Sequence, residues 1–151
     1  MKPALIFFFL FLSLTIYAQS TNATYDKQLA DSLGGDDYGM KAYVLVILKT
    51  GSATIKDKAV IDSLFRGHMQ NINSLAEAGR LVVAGPLQKN EKGYRGIFIL
   101  NVKTIDEARF LLVTDPAVKA NLLDSELFTW YGSAALPMYL KFHQMVEKKT
   151  F

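Results

Sequence analysis

His68 is the side chain of this sequence best placed to do chemistry. It falls within the series Ile61, Leu64, Phe65, His68, Ile72 and Leu75. Offsets of three, four and seven put these six side chains on one face of an amphipathic helix. Imidazole changes charge near neutrality, so it can act as base, acid or hydrogen-bond donor. Among apolar neighbours the ring loses its water and requires a polar partner. The partner is either part of a functional site or a backbone carbonyl or water that satisfies a core histidine. Other reactive centres are sparse. The chain contains no cysteine, which excludes a cysteine nucleophile, a lipoprotein anchor and disulfides. No serine stands in a nucleophile-elbow pattern. The second histidine, His143, follows Phe142 near the C-terminus, at no metal-ligand spacing from His68, and HExxH and CxxC are absent. No cofactor is therefore expected.

The elements that must position His68 follow from periodicity and punctuation. Residues 42–49 (AYVLVILK) are β-branched and aromatic and stop at Thr50-Gly51, the pattern of a strand. The His68 helix is predicted over 57–78, with Asp57 as N-cap and Gly79 just past its end. A second strand (80–84, RLVVA) ends at Gly85-Pro86, and a third covers 94–102 (YRGIFILNV). Thr104 and Glu107 form a capping box for a second helix, whose apolar face is Ile105, Ala108, Leu111 and Leu112. Asp115-Pro116 ends that helix, and 125–131 (SELFTWY) is a fourth strand. A last helix is expected over 138–148. The order strand, helix, strand, strand, helix, strand is that of an α+β, ferredoxin-like βαββαβ fold, with both helices on one face of an antiparallel four-stranded sheet.

The remaining organisation is set by the two ends. Lys2, a short apolar run over 4–12 and a small-residue exit at Ala18-Gln19-Ser20 describe a signal peptide over 1–20. The run is shorter than the roughly 20 residues of a membrane span. The mature protein is thus expected to be exported, periplasmic or extracellular, with no membrane anchor after cleavage. Residues 21–40 read as a loosely packed polar leader, 41–132 as the folded domain and 133–151 as a C-terminal helical extension. Removing the signal peptide takes away Lys2 and leaves a small basic surplus without blocks of like charge, which gives no reason to expect nucleic acid.

The strands carry apolar residues without the alternation of a sheet that has one wet face. Residues 43–48 and 97–100 are unbroken apolar runs, and Leu127-Phe128 and Trp130-Tyr131 add to them. Two helices cover one face only. A second copy packed about a two-fold axis would cover the other and make a homodimer. The alternative is that Met138, Tyr139, Leu140 and Phe142 fold over it.

In order and spacing these features resemble the YciI-like (YCII-related) family. The resemblance covers roughly residues 41–131. It rests on the strand 43–48, Arg66-Gly67-His68, the run Leu75-Ala76-Glu77-Ala78-Gly79-Arg80-Leu81, Gly85-Pro86-Leu87 and Tyr94-Arg95-Gly96-Ile97. Ile105-Asp106-Glu107-Ala108, Thr114-Asp115-Pro116 and Trp130 complete it. It implies a dimeric α+β barrel and a pocket holding a histidine–aspartate pair, which falls on His68 and Asp115. Ala117 stands where the family often has an aromatic residue, a change that would reshape the pocket. A carboxylate bonded to one imidazole nitrogen fixes the tautomer and leaves the other nitrogen as a base. Proton transfer in an isomerase, lyase or hydrolase reaction on a small organic molecule is the chemistry such a pair supports. Arg66, Gly85 and Pro86 are the candidate substrate contacts, with Lys49 and Arg95 as further donors. The alternative is a non-catalytic small-ligand-binding or structural dimerisation module.

Overall fold

The computed structural model describes residues 22–149; the predicted signal peptide lies outside them. The described chain forms α1 (Lys27–Leu33), β1 (Met40–Thr50), α2 (Lys58–Glu77), β2 (Leu81–Pro86) and β3 (Tyr94–Leu100). It continues through α3 (Ile105–Leu112), α4 (Pro116–Lys119), β4 (Leu123–Ser133), a 3-10 turn (Leu136–Tyr139) and α5 (Leu140–Val146). The sheet order is β2-β3-β1-β4 and every neighbouring pair is antiparallel, the ferredoxin-like arrangement.

Local chemistry sets the helix ends. Asp57 accepts the Ala59 N–H at the start of α2, and Gly79 beyond its end takes the left-handed conformation (φ 67°). Thr104 and Glu107 form the full capping box of α3. β1 and β4 are longer than their apolar cores, because Lys41, Asp124 and Ser133 continue the ladder on either side.

Alternation divides the sheet into two faces. Val44, Val46, Leu48, Phe98 and Leu100 are buried and pack with Leu75 of α2 and with Ala108, Leu111 and Leu112 of α3. Leu45, Ile47, Ile97 and Ile99 point the other way and are half-buried, and Phe128, opposite Leu45 on that face, is 48% exposed. One end of this open face is polar: Lys49 Nζ lies 3.1 Å from Glu126 and 3.4 Å from Asp124. At the other end Trp130 packs beside Tyr43, ring centroids 5.5 Å apart, and covers Gly132, where a β-carbon would overlap the indole.

Of the C-terminal apolar side chains, Phe142, Met145 and Val146 are exposed, whereas Met138 and Leu140 are half-buried. The helix expected over 138–148 is instead the 3-10 turn followed by α5, with Pro137 at the start of the turn and no side-chain cap on either piece. The Tyr139 hydroxyl donates to the Val82 carbonyl and so covers part of the β2 edge.

The leader differs from the loose segment expected. It buries no residue of α1, yet polar contacts hold it down. Lys41 Nζ donates to the Leu33 carbonyl at 3.1 Å, closing the C-terminus of α1. Asp36 Oδ1 accepts the Tyr38 and Met40 N–H groups, and the Tyr131 hydroxyl of β4 donates to Asp36 Oδ2. The Tyr131 hydroxyl, and then the Met40 N–H, hold the Asp36 carboxyl below its usual range. The same bond pushes the Tyr131 phenol up, because its ionisation would set two anions together. A depressed carboxyl stabilises the docked leader above the ordinary carboxylate pKa, and the contribution disappears as pH falls through the lowered folded value. Tyr131→Phe is expected to raise hydrogen exchange at the Tyr38 and Met40 amides about fivefold at neutral pH. Acidification should bring the wild type towards the variant; equal exchange at neutral pH would remove Tyr131 from the tether.

Candidate functional site

His68 sits on the sheet-facing side of α2 and is 8% exposed. Its ring stacks on Phe98 of β3, centroids 5.9 Å apart at 23°, and meets Phe65 edge-on at 6.2 Å. Its Nδ1 lies 2.6 Å from Asp115 Oδ2. Asp115 is fully buried, yet its carboxyl group is well satisfied: Oδ1 accepts the Ala117 N–H at 2.9 Å and, more loosely, the Val118 N–H at 3.4 Å. These bonds make Asp115 the N-cap of α4, with Pro116 in the first helical turn. One carboxyl group therefore starts a helix with one oxygen and holds an imidazole with the other.

This arrangement has a definite consequence for the ring. An ionised carboxylate only accepts, so a ring nitrogen facing it carries a proton; in the neutral ring this is the Nδ1–H tautomer, with the lone pair on Nε2. Among the described residues every buried side-chain nitrogen and oxygen has a partner, and Nε2 bonds to none of those residues, so it reaches solvent. On the helix-covered face of the sheet Ala84 and Val46 flank Phe98 in the ladder; Val46 is fully buried and Ala84 is exposed. The site is thus a hydrogen-bonded pair in which Asp115 is fully buried and the His68 side chain is 11% exposed.

The other candidates are distributed unevenly. Pro86 lies on the helix-covered face of β2 and is exposed, two residues beyond Ala84. Gly85 belongs to the opposite face, and a β-carbon there would meet nothing within 4 Å, so no close approach demands glycine. Arg66 is exposed and sits about 200° around α2 from His68. Lys49 is engaged with Glu126 and Asp124 on the open face of the sheet, away from the pair. Arg95 is exposed, and His143 is exposed on α5. Ala117 is fully buried in the core and its N–H bonds Asp115. Among the described residues no three His, Asp or Glu side chains gather as a metal site would require. A groove of about 580 Å³ runs between α3, α4 and the outer edge of β4 and does not include the pair.

Sequence reasoning missed two contributors. Gly67 faces Pro116 so closely that a β-carbon would lie 2.8 Å from Pro116 Cγ. Asn71 pairs with Thr114 at 2.8 Å. The adjacency of Gly67 to His68 and of Thr114 to Asp115 was the available signal.

No family model and no curated protein matches this sequence. Among solved structures, the chain is similar to 5-chloro-2-hydroxyhydroquinone dehydrochlorinase (TftG) from Burkholderia phenoliruptrix AC1100, in complex with 2,5-dihydroxybenzoquinone. That similarity has 19% identity and a TM-score of 0.41, over 58% of this chain and 92% of the other.

Proposed function

We propose that this chain is an exported, homodimeric YciI-like protein in which His68 and Asp115 perform acid–base catalysis on a small organic molecule. The observation that carries the reading is the 2.6 Å bond from His68 Nδ1 to a fully buried carboxylate, with Nε2 left unbonded at the surface. Asp115 selects the tautomer, and Nε2 takes a proton from a carbon acid or from water as the reaction requires. Asp115 then stabilises the imidazolium that forms. Phe98 and Phe65 hold the ring plane, which fixes the direction in which the proton moves. General-base help of this kind contributes roughly 10²–10⁴ in rate. The half-buried apolar sheet face supports the dimer, and the apolar run followed by small residues supports export.

The experiment is a screen of the mature protein against panels of small carbon acids, halogenated and hydroxylated rings and esters, with His68→Ala and His68→Gln beside it. Turnover by the wild type that falls about 10²-fold or more in both variants is the expected result. Ligand binding without turnover would mark a binding module and overturn the catalytic reading. Turnover that survives both substitutions would move the chemistry elsewhere.

A further inference from the structure

The loop that carries Asp115 meets α2 in three consecutive steps. Thr114 meets Asn71, Asp115 meets His68 and Pro116 meets Gly67. The loop therefore runs antiparallel to the helix. Around the α2 axis Gly67, Asn71 and His68 fall within an arc of about 100°, on the side that the loop meets. We propose that Gly67, Asn71 and Thr114 are positioning residues that hold the Asp115 carboxylate on His68 Nδ1 and so choose the tautomer of the ring.

The Asp115 side chain has little freedom of its own, because Oδ1 is committed to the Ala117 N–H at the start of α4. The Nδ1–Oδ2 contact is then set by where the short α4 sits against α2. Two contacts determine this. Pro116 can lie against the backbone of α2 only because position 67 has no side chain; a β-carbon would stand 2.8 Å from Pro116 Cγ and 3.3 Å from Cβ. On the other side, the Thr114 oxygen lies 2.8 Å from Asn71 Oδ1 and 2.6 Å from the Leu111 carbonyl oxygen. One hydroxyl proton serves one acceptor. With the Asn71 amide turned over, its N–H donates to Thr114 while Thr114 donates to Leu111, and both contacts are satisfied. The end of α3 and the middle of α2 are thereby tied together one turn from His68.

The functional meaning of this clamp rests on the acid–base reading of the pair, and the test separates the two. Nitrogen-15 NMR of the His68 side chain reports which ring nitrogen carries the proton. The wild type is expected to hold the Nδ1–H tautomer. Asn71→Ala, Thr114→Val and Gly67→Ala are expected to shift the tautomer ratio five- to tenfold towards Nε2–H, as loss of about one hydrogen bond of bias requires. Thr114→Ser keeps the hydroxyl and should restore the wild-type ratio, which a loss of packing alone would not do. Thr114→Val and Asn71→Ala alter partly or fully exposed positions and keep the test open if Gly67→Ala fails to fold. Folded clamp variants with a wild-type ratio, beside an Asp115→Asn control that reverses it, would overturn the clamp and leave the pair intact. An Asp115→Asn control with an unchanged ratio would instead overturn the reading of the pair itself.

Discussion

Asp115→Asn is expected to leave the protein folded and to abolish most of its proton-transfer capacity. The amide oxygen can still accept the Ala117 N–H and cap α4. The amide nitrogen then faces His68 Nδ1, and it donates where the carboxylate accepted. Nδ1 must become the acceptor, the proton moves to Nε2, and the outward nitrogen is no longer a base. Turnover should fall by about 10²–10⁴. Asp115→Ala should behave differently. It removes the cap, worth about 1 kcal/mol, and leaves a nearly buried imidazole without its partner, at about 1–3 kcal/mol. A combined loss of roughly 2–4 kcal/mol in urea unfolding is the expected outcome. Equal stability for alanine and aspartate would mean that the bond at position 115 is replaced by solvent at no cost.

The second large effect concerns assembly. Ile97 lies at the centre of the open sheet face, beside Ile47 of β1. In the proposed homodimer the partner's sheet covers it. Ile97→Lys would then bury an ammonium group without a counter-charge, at a cost of several kcal/mol. Dimer affinity should weaken by about a thousandfold or more. Light scattering after size exclusion at micromolar concentration should give twice the chain mass for the mature wild type and the chain mass for the variant. A wild type that runs as a monomer, or a variant that keeps the dimer mass, would contradict the face-to-face arrangement. The His68–Asp115 pair lies on the other face, so the Asp115→Asn dimer should be unaffected.

Which parts of this structure were legible in the sequence follows from the range of the interactions involved. The caps at Asp57 and Thr104 and the stop at Gly79 act within a few residues, and the helices begin and end there. The β-branched and aromatic runs announced the four strands. The ends of β1 and β4 were less legible, because Lys41 and Asp124 join through ladder pairing with a distant strand rather than through their own character. α4 is only Pro116–Lys119, too short for a periodicity, and Asp115-Pro116 reads equally well as a terminator. The leader was read from its polarity as loose. Its anchor is a bond between Asp36 and Tyr131, 95 positions apart, which no local pattern reports.

The site divides in the same way. The apolar stripe around His68 required a buried partner, and the family resemblance pointed to Asp115; the structure brings the two together. Gly85-Pro86 drew attention as punctuation, yet both residues complete the β2 ladder, and Gly85 belongs to the wrong face. Arg66 drew attention through its charge, although a spacing of two on a helix already separates it from the His68 face. Gly67, between them, serves a contact with Pro116 from beyond the next two strands, and only the tertiary structure shows why no side chain fits there.

Acylation of the mature protein by diethylpyrocarbonate, read residue by residue by mass spectrometry, tests the site most directly, because the reagent attacks an unprotonated, accessible imidazole nitrogen. His143, exposed on α5, is the internal standard. With Nδ1–H held by Asp115 and Nε2 open, His68 should be modified at neutral pH despite being only 8% exposed, and Asp115→Asn should slow it about tenfold or more. Modification of His143 alone, with His68 untouched in both proteins, would contradict a basic nitrogen at the surface of this pair.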